Sequence, residues 1–390
     1  MISKEKIIEY AEKIDIDLIG FTKAEVYNDL GQILIERESK GFLSGFEERD
    51  IEKRINPELT LEGVKTIIVV GISYYVMEED IGETIDSRLY GKISRSSWGK
   101  DYHNVLKDRM EKLSMYISKH ENDFRFKYYV DTGPLVDRHL AYKAGIGWYG
   151  KNNCIISESY GSWIFIGYIL SNLQLEAISS ASILLDSDNI SHSEVISNRV
   201  ENSCKDCDKC IMACPTNALM ENYQYNSKLC ISYLTQTKDD IDYELREKMG
   251  NSLYGCDICQ SVCPYNKDRK SSCKEFIPDG NTYKPDLLEM LKLSNKQFRK
   301  KFGNMALSWR GNKIIKRNVI IALGNSRKKE ILCKLVEYLN NPSVMIRKYT
   351  AWAIIRIDKE RGKKILDNHL DNEKESEVID EIEKLYKYYL

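Results

Sequence analysis

CKDCDKCIMACPTNAL (204–219) sets Cys204, Cys207, Cys210 and Cys214 at close intervals and follows the last with Pro215. A partial echo, CDICQSVCPYN (256–266), carries Cys256, Cys259 and Cys263 ahead of Pro264, one cysteine fewer. The first run fits C-x2-C-x2-C-x3-C-P, the spacing used by ferredoxins that hold two clusters. Three closely spaced thiolates grip three irons of one cubane, while the fourth, set off by a longer spacer, ligates the other cluster. The second run then supplies two near ligands and its own crossing cysteine, and Cys230 lies between the runs to replace the missing member. The expected assignment is one [4Fe–4S] cluster on Cys204, Cys207, Cys210 and Cys263 and a second on Cys214, Cys230, Cys256 and Cys259. Cys273 competes with Cys230 for the displaced position. Zinc is the rival occupant, because CxxC pairs also build tetrahedral structural sites; two proline-terminated runs are far more specific than a lone CxxC.

The rest of the chain bounds where such a module works. The 390 residues suffice for two or three domains, and 42% hydrophobic with 30% charged residues describe an ordinary globular composition. MISKEKIIEYAEKIDIDLIGF (1–21) scatters charge through any possible h-region and so does not read as a signal peptide. The longest apolar run, TIIVVGISYYVM (66–77), is too short to span a bilayer and reads as a buried strand. The expectation is a cytoplasmic protein without membrane contact, whose 11 cysteines serve metal rather than disulfides. Formal net charge is −1, yet Lys292 to Lys329 contains many lysines and arginines and no acidic residue. Such a patch suits phosphate, unless it is simply a solvated face.

Residues 1–170 mix helical and strand patterns. SKEKIIEYAEKI and DYHNVLKDRMEKLSMYISKH carry helical periodicity, while VKTIIVVGISYYV, FRFKYYV and WIFIGYIL are β-rich. The polar stretch 171–203 reads as a linker or surface excursion, and PDGNTYKPD (278–286) as a boundary. Beyond it, two helical segments align at a period near thirty, each with an arginine (Arg317, Arg347) just ahead of an apolar helix, the look of a short HEAT-like solenoid. The fold class expected is α+β overall, with an α/β domain over 1–195, a two-cluster ferredoxin-like domain over 196–285 and an all-α HEAT-like domain over 286–390.

A ferredoxin module inside a longer chain delivers electrons to something else in it. In YYVDTGPLVDRHLAYKAGIGWYGKNNCII (128–156), Asp131 follows a strand and precedes the Gly133-Pro134 turn, leaving its carboxylate at a strand end. Gly145, Gly147 and Gly150 around Trp148 form a loop where backbone can closely approach a large ligand. No G-x-G-x-x-G opens a helix after a strand, so this is not a dinucleotide fingerprint.

Taken together, VDTGPLVDRHLAYKAGIGWYGKN, GSWIFIG, the two cysteine runs, CISYLT (230–235) and RNVIIALGN (317–325) resemble the epoxyqueuosine reductase family, in that family's motif order. The resemblance implies a cobalamin-binding N-terminal domain and two [4Fe–4S] clusters. It implies removal of the epoxide oxygen of epoxyqueuosine at the wobble position of GUN-anticodon tRNAs, those for Tyr, His, Asn and Asp. It also implies Asp131 as the general acid, and Arg54, Ser94, Asp131, Lys151, Ile166 and Ser232 as contacts to corrin or nucleotide tail. DRHLAY (137–142) begins like the cobalt-ligating D-x-H-x-x-G motif but lacks its glycine, so no histidine is expected on cobalt. His103 reads as a structural hydrogen-bonder. Arg310, Lys313, Lys316 and Arg317 are expected to meet tRNA phosphates. The protein is expected to work as a monomer fed by a low-potential electron donor. The chain departs from the family in a longer polar stretch at 171–203 and in Thr132-Gly133 after the aspartate. A cobalamin and iron–sulfur reductase of a small molecule, of reductive dehalogenase type, is the alternative; a plain electron carrier would leave 128–170 unexplained.

Overall fold

The computed structural model describes residues 2–77, 81, 89–175, 183–184, 204–269 and 273–390. Most of the 171–203 stretch therefore lies outside the described residues. Compactness divides the chain into two units that are not contiguous in sequence: Met1–Ile81, Gly99–Lys228 and Asp257–Ile277 form the first, and Gly82–Trp98, Leu229–Cys256 and Pro278–Leu390 the second.

The first unit is built on a five-stranded sheet in the order Phe126–Tyr129, Ile164–Ser171, Thr66–Ser73, Leu18–Lys23, Ile183–Leu184. The strands fall where β-branched and aromatic residues cluster, as their propensity requires. Every pairing is antiparallel. The expected α/β domain is corrected here to an antiparallel α+β layer, because among the described residues no helix serves as a crossover between parallel neighbours. The Thr66–Ser73 strand is buried along its whole length. Its Ile67 and Val69 face one way, into a core with Leu18, Leu140, Tyr168 and Leu170. On the Ile164–Ser171 strand, a Cβ on Gly167 would stand 2.9 Å from Met110 Sδ, so the Tyr102–Ser118 helix lies directly on the sheet. Asp101 caps that helix by accepting the His103 backbone N–H at 3.0 Å, and the His103 Nδ1 also meets the Asp101 carboxylate at 2.7 Å. His103 is thus a structural partner, as its place at a helix start suggests.

In the second unit the helices Gly311–Ser326, Val344–Ile357, Lys359–Leu370 and Ser376–Tyr389 surround a core centred on Tyr349 and Trp352, both fully buried. Arg317 and Arg347 sit within the first two of these helices rather than ahead of them. Arg317 is fully buried and donates to the Thr237 carbonyl at 2.6 Å and the Leu234 carbonyl at 2.8 Å. Its assignment to tRNA phosphates is withdrawn: the guanidinium has no exposed surface and its donors serve the chain's own carbonyls. Arg317→Ala is expected to lower stability by about 3 kcal/mol, since two buried carbonyls lose a charged donor. Urea unfolding followed by far-UV circular dichroism checks this, with the exposed Lys313→Ala as the comparison whose midpoint stays in place.

Among the described residues no helix is long and apolar enough to cross a membrane.

Candidate active site

Two cavities of the first unit back onto each other. One, of about 170 Å³, is lined by Cys204, Cys207, Cys210 and Cys263 together with Lys151, Asn152, Ile156 and Tyr265. These four thiols are the set that the spacing assigns to the first cluster. Two short helices bring them together, Lys209–Ala213 from the first cysteine run and Ile258–Ser261 from the second, which pack on one another. Burial, and the neighbouring Cys204 and Cys263, push the Cys210 thiol up to about 11. Burial does the same to Cys263, which packs with Trp148 and Ile156. Thiols that repel each other around one space call for a positively charged centre. Four thiols around one cavity match the ligand count of a cubane, and the two proline-terminated runs that supply them favour iron–sulfur over zinc.

Of the second set, Cys214 and Cys259 belong to the first unit and Cys230 and Cys256 to the second. Cys214 stays below the usual thiol range: burial opposes this, but backbone N–H groups and the Thr216 hydroxyl, 3.6 Å from its sulfur, stabilise the thiolate. Cys273 is buried against Glu275, 3.1 Å from its sulfur, and burial first, then that carboxylate, pushes it up to about 12. The Cys273 sulfur is also met by the Arg109 guanidinium at 3.7 Å.

The other cavity, of about 340 Å³, is lined by Asp131, Asp137, Arg54, Arg138, Tyr74, Tyr102, Phe165 and Ile166, among others. Asp131 adopts φ +53°, a left-handed conformation that aspartate tolerates better than most residues. Two contacts hold it there. Its backbone N–H donates to Asp137 Oδ2 at 3.0 Å, and the Tyr102 hydroxyl donates to its carboxylate. The Tyr102 ring stacks on Phe165 with centroids 4.1 Å apart, so the donor is fixed to the sheet. The turn needs Gly133: a Cβ there would fall 1.9 Å from the Tyr168 hydroxyl.

Asp137 was not legible as a site residue. Burial, and then the negative charge of Asp131, hold its carboxyl well above the usual carboxylate range. A raised folded pKa contributes stability that is complete below the unfolded value, near 3.9, and is lost as pH rises through the folded value. Asp137→Asn stays neutral throughout and still offers an oxygen to the Asp131 N–H. The stability gap between parent and variant is therefore expected to shift in the variant's favour as pH rises above about 4, measured by melting temperature across a pH series.

Arg54 is buried and its Nη1 has no partner, an orphaned donor in the wall of this cleft. Burial lowers its pKa first, Glu47 opposes that shift and Arg138 adds to it, so what the corner offers is the unpartnered Nη1 donor. Ile166 supplies apolar wall in the same cleft. Lys151 lies elsewhere: it lines the thiol cavity and donates to the Lys205 carbonyl at 2.7 Å. Ser94 and Ser232 belong to the second unit. Ser94 is buried and caps a short turn through the Ser96 N–H at 3.3 Å, and the Ser232 carbonyl accepts from the Gln236 amide at 2.9 Å.

A single hairpin separates the two cavities. Trp148–Tyr149 pairs with Ile155–Ile156, and strand alternation turns Ile155 into the carboxyl cleft and Ile156 into the thiol cavity. Gln260, between Cys259 and Cys263, also reaches the cleft, donating to the Tyr74 hydroxyl at 3.0 Å. The arrangement sets a candidate electron store one strand away from a carboxyl pair.

The family model described as "Epoxyqueuosine reductase QueG, DUF1730" matches residues 54–132, and a "4Fe-4S double cluster binding domain" matches 203–266. The chain is similar to the epoxyqueuosine reductase of Bacillus subtilis (strain 168), 40% identical over 98% of this chain and 94% of that protein. A crystal structure of epoxyqueuosine reductase with a tRNA-Tyr epoxyqueuosine-modified stem loop is 40% identical, with TM-score 0.88, covering 98% of each chain. A structure of the Bacillus subtilis enzyme with its catalytic aspartate loop swung out of the active site is 38% identical, with TM-score 0.87, covering 99% of each.

Proposed function

We infer, from the fact that this chain belongs to the epoxyqueuosine reductase family and is an oxidoreductase, that it removes the epoxide oxygen of epoxyqueuosine at the wobble position of GUN-anticodon tRNAs. The observation that carries the reading is the pairing of a four-thiol cavity with a two-carboxyl cleft across one hairpin. Deoxygenation consumes two electrons and two protons and leaves an alkene and water, so the site must store and deliver both.

The residues present fit the groups that supply the electrons. Cys204, Cys207, Cys210 and Cys263 would hold one [4Fe–4S] cluster, and Cys214, Cys230, Cys256 and Cys259 the second. The orphaned Nη1 of Arg54 suits the amide-rimmed edge of a corrin, with Ile166 as apolar wall. Ser94 and Ser232, in the second unit, are the remaining proposed contacts. Cobalamin, when bound, supplies a low-potential cobalt centre able to reduce the epoxide carbon. Asp131 would hold the first proton for the departing oxygen, within hydrogen-bond reach of it. Asp137, whose carboxyl burial and Asp131 hold well above the usual carboxylate range, would resupply Asp131 and so provide the second. Tyr102 orients the Asp131 carboxyl, and the Tyr74, Tyr102 and Phe165 rings keep water from the reacting face.

The second unit would hold the tRNA. A short HEAT-like array is the arrangement proposed for its helices, and the Asn295–Phe302 helix exposes Lys296, Arg299, Lys300 and Lys301. Lys313 is exposed on the next long helix, with Lys316 and Arg310 half-buried beside it. These, without Arg317, are the proposed phosphate contacts. A modified base in the anticodon loop would be splayed out for reaction. The protein would act in the cytoplasm, as a monomer drawing on a low-potential donor.

The test is anaerobic incubation of epoxyqueuosine-containing tRNA with the reconstituted protein and a low-potential reductant, followed by nucleoside analysis. Queuosine is expected only when cobalamin is added. Failure on the tRNA, with turnover of a halogenated aromatic instead, overturns the reading in favour of a small-molecule reductase.

A further inference from the structure

Of the five tryptophans, four are buried, Trp98 at 7%, Trp148 at 5%, Trp163 at 2% and Trp352 at 0% exposure; Trp309 alone is exposed, at 55%. A large apolar ring left in water is informative when its polar edge does not need the water. Here it does not. Trp309 Nε1 donates to the Tyr254 hydroxyl at 2.8 Å and to Gln236 Oε1 at 3.1 Å. Those bonds also fix the ring, so it cannot turn into the core. The Arg310 guanidinium lies 3.6 Å from the ring centroid.

The surroundings say what such a ring is for. Trp309 lies in the stretch from Lys292 to Lys329 that lacks any acidic residue, four residues before the exposed Lys313 and across the bend at Gly311, φ +75°. A rigid aromatic face with an arginine plane on it, set among cations, is the combination by which proteins hold single-stranded nucleic acid: bases stack on the ring and the backbone meets the charges. Trp309 is also one side chain from a proposed cofactor contact, because the Gln236 that accepts from the indole donates to the Ser232 carbonyl at 2.9 Å.

We propose that Trp309 is a stacking platform for an unpaired nucleobase of the anticodon loop, holding a base next to the reacting one while that base is splayed out. This rests on the tRNA reading above and adds a residue and a contact type to it.

The test uses the reconstituted protein and a fluorescently labelled, unmodified GUN-anticodon stem-loop, so that binding is read apart from turnover. Trp309→Ala is expected to raise Kd about tenfold, within the range that stacking supplies, and to leave the slope of log Kd against log salt unchanged. Trp309→Phe is expected to restore most of the affinity, whereas Lys313→Ala flattens the salt slope. Stem-loops made abasic at one loop position at a time should reveal one position whose loss weakens the parent but not Trp309→Ala. Equal Kd for parent and Trp309→Ala overturns the proposal while leaving the tRNA reading intact. A parent that binds no stem-loop overturns both. A dimer in sedimentation velocity that Trp309→Ala dissolves would assign the ring to a second copy of the chain and also overturns the proposal.

Discussion

Asp131→Asn is expected to slow oxygen removal by about 10²–10⁴-fold, the usual worth of a positioned general acid. The substitution is chosen because asparagine matches aspartate in shape and tolerates the left-handed backbone that Asp131 adopts at φ +53°. Its side-chain oxygen can still accept from Tyr102, and its N–H can still donate to Asp137. What disappears is the transferable proton. Iron content and stem-loop affinity should therefore stay at parental values while single-turnover formation of queuosine falls. A variant that turns over at the parental rate would remove Asp131 from catalysis and leave the cleft without its acid.

Cys263→Ser is expected to abolish steady-state turnover and to lower bound iron by about half. Cys263 comes from the second cysteine run yet lines the cavity of the first, beside Cys204, Cys207 and Cys210. It is also buried at 8% exposure against Trp148 and Ile156, so no outside thiol can replace it. A serine hydroxyl is too weakly acidic to act as a fourth ligand at neutral pH, and three thiolates hold a labile cluster. Metal analysis after anaerobic reconstitution gives the iron count. Full iron and full turnover in this variant would break the crossed assignment, in which each run lends one cysteine to its neighbour's cluster.

How far these features could be read from the chain depended on where the partners lie. The cysteines were legible because a cubane dictates its own ligand spacing, and the structure gathers Cys204, Cys207, Cys210 and Cys263 as that spacing requires. The strand followed by Gly133-Pro134 put the Asp131 carboxylate at a strand end, while its candidacy as the acid came from the family resemblance. Asp137 was not legible, since an aspartate opening a short helix looks like a cap; only the fold returns its carboxyl to the Asp131 N–H. A second carboxylate six residues on, across a glycine–proline turn, was the available signal. Arg317 was misread for a related reason. It follows Lys313 by one helical turn, but its partners, the Leu234 and Thr237 carbonyls, lie some eighty residues earlier, where no local pattern announces them. Strand direction was hidden in the same way: an apolar run such as Thr66–Ser73 looks alike in parallel and antiparallel sheets when both faces are covered.

Turnover requires electrons to move from thiolate-bound iron to the cleft that Asp131 lines. Pre-reducing the cobalamin-loaded protein, removing excess reductant and mixing it with an epoxyqueuosine stem-loop measures this in one turnover. Cluster absorbance should recover its oxidised form in step with queuosine formation, with two electrons lost for each oxygen removed. Queuosine appearing while the clusters remain reduced, or clusters oxidising with no oxygen lost from the base, would contradict it.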